Sequence, residues 1–144
     1  MSDHVTTPPP GSWAYALRIP PSVLGPGVAR TTARTILQHY RMAELVDRAE
    51  LLTSELATNA YRHTQGPAVV RFAWRNDVLR ITVWDSSTRL PLMPCADQWD
   101  ERGRGLFLVT HCADRWGSRP LGGSLRARGK VVWCELDGGA APGA

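Results

Sequence analysis

Cysteine is scarce in this sequence: there are three, Cys95, Cys112 and Cys134, set far apart and with no CxxC pair among them. That spacing excludes a disulfide framework and a cysteine-based zinc site, and a reduced, cytoplasmic setting is the expectation. Long apolar runs are missing too. No stretch approaches the roughly 18 residues of a membrane span, and the opening MSDHVTTPPPGSW has no basic run leading into an apolar one. A soluble protein, neither exported nor bound to a membrane, is predicted. There is no arginine cluster either. The net charge is +4 and the sequence pI about 9.4, but the arginines are dispersed among carboxylates, the pattern of a solvated surface, so no direct contact with nucleic acid is expected.

What is present amounts to one domain. A chain of 144 residues buries about 70% of its unfolded surface without needing covalent staples. Residues 1–11 are rich in Pro, Thr and Gly, and residues 137–144 read DGGAAPGA. Both lack the apolar content to order themselves and are predicted to be flexible tails around a domain at 12–136.

Within that domain, SWAYALRIP alternates as a first strand that Pro20 and Pro21 stop. A helix is predicted from about Val23 to Arg41. A second helix follows, with Leu45, Ala49, Leu52, Leu56 and Ala60 on one face; Asp47 and Glu50 have capping-box spacing at its start, and Gly66 with Pro67 ends it. AVVRFAWRN and VLRITVWD are two alternating runs joined at Asn76 and Asp77, which predicts an antiparallel hairpin with Val70, Phe72, Trp74, Leu79, Ile81 and Val83 facing the core. Residues 86–102 hold two prolines and show no period, as a functional lid does. A third helix is predicted in GRGLFLVTHCAD, then strands at RWGSRP and GKVVWCEL. This order predicts an α+β, two-layer sandwich: helices on one face of a mixed, mostly antiparallel sheet.

Three groups of residues bear chemistry. Glu55 and Asn59 are four apart on the second helix, so a carboxylate and an amide emerge one turn from each other and can share a ligand; an amide oxygen suits Mg²⁺ that arrives with phosphates. Spacing alone equally allows a solvated Glu55 and an Asn59 bonded to a neighbouring loop. Asp85 continues the core-facing parity of Leu79, Ile81 and Val83, which aims a carboxylate inward where it needs a donor such as the amino group of a purine; capping the turn into SSTR is the other reading. Gly103, Arg104 and Gly105 lie where a loop meets a helix start. Backbone N–H groups there can close on an anion, with Arg102 or Arg104 as phosphate partners. His63 falls within the apolar face of the second helix and reads as a structural, hydrogen-bonded histidine.

Taken together, ELATNAYRHT, VWDSSTRLP, GRGLFLV and GKVVWCEL resemble the four ATP-site stretches of the GHKL superfamily, the Bergerat fold. Within it, the chain is most similar to the small bacterial anti-sigma-factor serine/threonine kinases, over residues 12–136. The resemblance implies ATP and Mg²⁺ as cofactors, Asn59 as the magnesium ligand, Glu55 as general base toward a substrate serine, and Asp85 as the group that recognises the adenine amino group. It places Gly103, Gly105 and Leu106 at the end of the lid near the phosphates, and Lys130 in a stretch near the adenine side without assigning it a role. The implied partners are a STAS-type anti-anti-sigma protein and a sigma factor, with a homodimer formed through the first strand or the sheet edge.

The chain departs from the family at its aspartate stretch. Where relatives read D-x-G-x-G, this sequence has DSSTR, with Ser87 and Arg89 in place of the two glycines. A second reading follows from this: an ATP-binding module that sequesters a partner without phosphoryl transfer. Retention of Glu55 and Asn59 opposes it.

Overall fold

Asn76 and Asp77 both adopt left-handed backbone conformations, with φ of 52° and 59°, the pair that a two-residue type I′ hairpin turn requires. They join β2 (Ala68–Arg75) to β3 (Val78–Asp85), and Arg75 pairs with Val78 directly across the turn. The predicted hairpin is therefore present, with its turn at the expected residues. The computed structural model describes residues 11–63, 66–86, 109, 111–121 and 129–139, apart from the side chain of His63.

Around this hairpin lie β1 (Trp13–Ile19), β4 (Arg115–Leu121) and β5 (Gly129–Asp137). The five strands are ordered β1-β2-β3-β5-β4, and all four pairings are antiparallel. Among the described residues, β1 and β4 form the edges. Pro120 is tolerated in β4 because an edge strand leaves one row of N–H groups unpaired anyway.

Among the described residues, α1 (Gly25–His39) and α2 (Ala43–His63) cover one face of the sheet. α1 starts with a proline in its first turn and buries Ala29, Ala33, Ile36 and Leu37 at helical spacing. It ends in a Schellman motif. Arg41 is left-handed at φ 58°, the N–H of Met42 donates to the Leu37 carbonyl at 2.9 Å, and the N–H of Arg41 donates to the Gln38 carbonyl at 3.2 Å.

The chain leaves that motif directly into α2. This corrects the expected capping box: α2 begins four residues before Asp47, which lies inside the helix. Glu50, the other half of that expected box, reaches back to α1 and pairs with Arg34, whose hydrogen bond, aided by its charge, holds the Glu50 carboxyl below its ordinary value.

α2 packs on β2, β3 and β5, while α1 packs on α2 and β1. Leu45, Ala49, Leu52, Leu56 and Ala60 are each at most 1% exposed, as the periodicity predicted. A fully buried leucine contributes roughly 1.5–3 kcal/mol, so this stripe dominates the docking of α2. Opposite it lie Val70, Phe72, Leu79, Ile81, Val83, Val132, Cys134 and Leu136, all buried, with Trp74 packed at their margin. The Cys134 thiol is pushed up to about 12 by burial. On the other face of the sheet Arg80 stacks on the Trp133 ring at 4.4 Å.

Of the predicted third helix, Val109, His111 and Cys112 are described and are helical. Ser87, Arg89 and nearly all of the predicted lid lie outside the described residues, as does Cys95. No helix among the described residues is long and apolar enough to cross a membrane.

Candidate functional site

The stripe that docks α2 also fixes the two polar residues on its margin. Glu55 and Asn59 are half-buried and flank Leu56, which is 1% exposed. Burial pushes the Glu55 carboxyl above its ordinary value, and the positive charge of Arg62 opposes that shift without cancelling it. Glu55 therefore holds a proton more firmly than a solvated glutamate does.

Asn59 presents an anomaly. Its side-chain nitrogen is buried and has no hydrogen-bond partner among the described residues. An unsatisfied buried amide costs about 1–3 kcal/mol, and a leucine or alanine at this margin would avoid that cost.

The donor set fits a magnesium ion held mainly by phosphates and water. An amide and a carboxylate one turn apart on α2 offer hard oxygen atoms of the kind Mg²⁺ prefers. Among the described residues there is no cluster of three or more His, Cys, Asp or Glu able to cage a metal ion without other ligands.

Asp85 closes β3 and points to the same side of the sheet as Ile81 and Val83, the side that α2 covers, as its parity predicted; the residue is 6% exposed. Directly across the ladder stands Lys130 in β5. The Lys130 Nζ lies 3.8 Å from Asp85 Oδ2, and both side chains are 1% exposed. Burial pushes the Lys130 ammonium below its ordinary value, and the charge of Asp85 acts in the opposite direction.

The backbone beside this pair is tight. Gly129 has φ +154°, and a β-carbon on it would stand 2.2 Å from the Asp85 carbonyl oxygen. Only glycine allows β5 to approach the end of β3 this closely.

The structure thus sets Asp85 on the face of the sheet covered by the helix that carries Glu55 and Asn59. Arg102, Gly103, Arg104, Gly105 and Leu106, the remaining expected site residues, lie outside the described residues. Lys130 is the residue that the sequence reading left without a role. Its signal was available, because the alternation that turns Val132, Cys134 and Leu136 inward turns Lys130 inward as well.

Comparison with known families finds that the histidine kinase-like ATPase domain matches residues 26–132. That span contains nearly all of α1, the whole of α2, β2, β3 and β4, the start of β5, and all four of Glu55, Asn59, Asp85 and Lys130. Comparison with curated proteins finds no match.

Proposed function

This chain belongs to the histidine kinase-like ATPase domain family, a family of ATP-binding domains, and from that premise we propose that it is an anti-sigma-factor serine/threonine kinase. Its substrate in this reading is a serine on a STAS-type anti-anti-sigma protein, and its second partner is a sigma factor. The observation that carries the reading is the buried, unpartnered amide nitrogen of the half-buried Asn59, one turn from the half-buried Glu55.

Each residue has a task. Glu55 takes the proton of the incoming serine hydroxyl, and the burial that raises its proton affinity makes its ionised form a stronger base than a solvated carboxylate. Asn59 offers an amide oxygen toward the phosphate side, and Asp85 accepts from the amino group of adenine. Arg102 and Arg104, with the backbone of Gly103, Gly105 and Leu106, approach the phosphates. Mg²⁺, when bound through Asn59, neutralises charge on the phosphoryl group being transferred. β1, an edge strand, is the place for a second copy to pair, and light scattering that finds a monomer at high concentration would remove the dimer from the proposal.

The test is calorimetric titration of ATP, with and without Mg²⁺, into the protein and its Asn59→Ala variant. Micromolar binding that requires both magnesium and Asn59 is expected, followed by transfer of the γ-phosphate to a serine of a STAS-type protein. Absence of ATP binding overturns the site. Binding without transfer overturns the kinase and leaves a module that sequesters its partner.

A further inference from the structure

Lys130 is the only lysine in the sequence; every other basic side chain that is always charged is an arginine. It is also buried to 1% exposure, in a strand whose inward positions are otherwise apolar, and its Nζ makes no hydrogen bond among the described residues. Asp85 is its neighbour, but at 3.8 Å the two are an ion pair without a hydrogen bond.

Stability does not account for this arrangement. Removing two charges from water costs several kcal/mol per ion, and attraction offsets that only when the geometry is close and the remaining donors are satisfied. Here the approach is long and the ammonium has three donors to place. A lysine serving only as a counter-ion for Asp85 would be expected to close the gap.

The geometry points to Lys130 as a second base-reading residue of the nucleotide site: its ammonium donates to a ring acceptor of a purine while Asp85 accepts from the adjacent exocyclic amino group. This rests on the reading of Asp85 as the adenine contact. The two side chains are too far apart to bond each other and near enough for both to reach neighbouring atoms of one ring edge. An acceptor beside a donor on the protein complements a donor beside an acceptor on the ligand, which is what adenine presents with its amino group next to a ring nitrogen. The ligand fills the gap that the ion pair leaves, and the cost of burying the ammonium is offset once the base is in place.

Because the lysine is unique, protein carrying ¹³C,¹⁵N-labelled lysine gives one side-chain signal that needs no assignment. Adenosine, which has the base and no phosphate, is expected to shift that signal, and inorganic tripolyphosphate is expected to leave it in place. The reverse pattern would make Lys130 a phosphate ligand and overturn the assignment. Calorimetry of ATP is expected to show a loss of tenfold or more in affinity for Lys130→Met, the size of a charge-assisted hydrogen bond. Thermal unfolding of Lys130→Met checks that the variant compared is folded; if it is not, the lysine signal of the unmodified protein decides the assignment. If the unmodified protein binds ATP but the lysine signal stays fixed, this inference is overturned and the ATP site stands. If ATP does not bind at all, both are overturned.

Discussion

The carbonyl oxygen of Asp85 occupies the space that a side chain on Gly129 would need, 2.2 Å from the position of its β-carbon. The close approach holds the ends of β3 and β5 together and sets Asp85 opposite Lys130. Gly129→Ala is therefore expected to cost about 2 kcal/mol and to weaken ATP binding at the same time. Thermal unfolding with parallel calorimetry checks this; a variant of unchanged Tm and unchanged affinity would show that the strand ends are free to part.

Asn59→Ala should separate stability from function. The substitution removes a buried amide nitrogen with no partner, so the folded state is expected to keep its stability or gain up to about 1 kcal/mol. ATP affinity in Mg²⁺ is expected to fall by tenfold or more. A Tm lowered by several degrees would instead mean that Asn59 is a structural residue.

Glu55→Gln is expected to retain ATP binding and to lower phosphoryl transfer by about 10²–10⁴-fold, the usual contribution of a general base. The pH dependence follows from the raised carboxyl value. Transfer by the unmodified protein should fall as pH drops through a value above that of an ordinary glutamate. The sign for stability is the opposite. A folded-state value above the unfolded one stabilises at low pH, and that contribution is lost as pH rises through the folded value. Unfolding midpoints should accordingly show Glu55→Gln gaining on the unmodified protein at neutral pH relative to acid pH.

Asp77→Gly is expected to stabilise by about 0.5–1 kcal/mol, since glycine takes the left-handed conformation at the second turn position without strain. The hydrogen bond from the Gly138 N–H to the Asp77 carbonyl, 2.8 Å, involves only backbone and survives the change. Chemical denaturation read by tryptophan fluorescence measures it.

Much of this fold was legible because period and parity carry it. β3 begins and ends at Val78 and Asp85 as read, and the α2 stripe from Leu45 to Ala60 is the buried one. The start of α2 was not legible. Its signal is the left-handed Arg41 of the Schellman motif, where an expected glycine is absent, and a competing capping-box pattern sits four residues on. Glu50 looked local at Asp47, but its partner is Arg34 in the other helix, a contact that only packing reveals. Asp85 followed from alternation. The same rule turns Lys130 inward but was not applied to it, and nothing in one sequence says which two strand ends will face each other across a ladder.

The depth of Cys134 has a practical consequence for measuring all of these variants. A thiol at the centre of the sheet, 0% exposed and with its ionisation pushed up to about 12, offers almost no thiolate to a maleimide at neutral pH. Alkylation there must wait for β3 and β5 to separate, so the rate at which the Cys134 peptide gains the mass of the reagent, followed by mass spectrometry, clocks the opening of the whole core without any engineered probe.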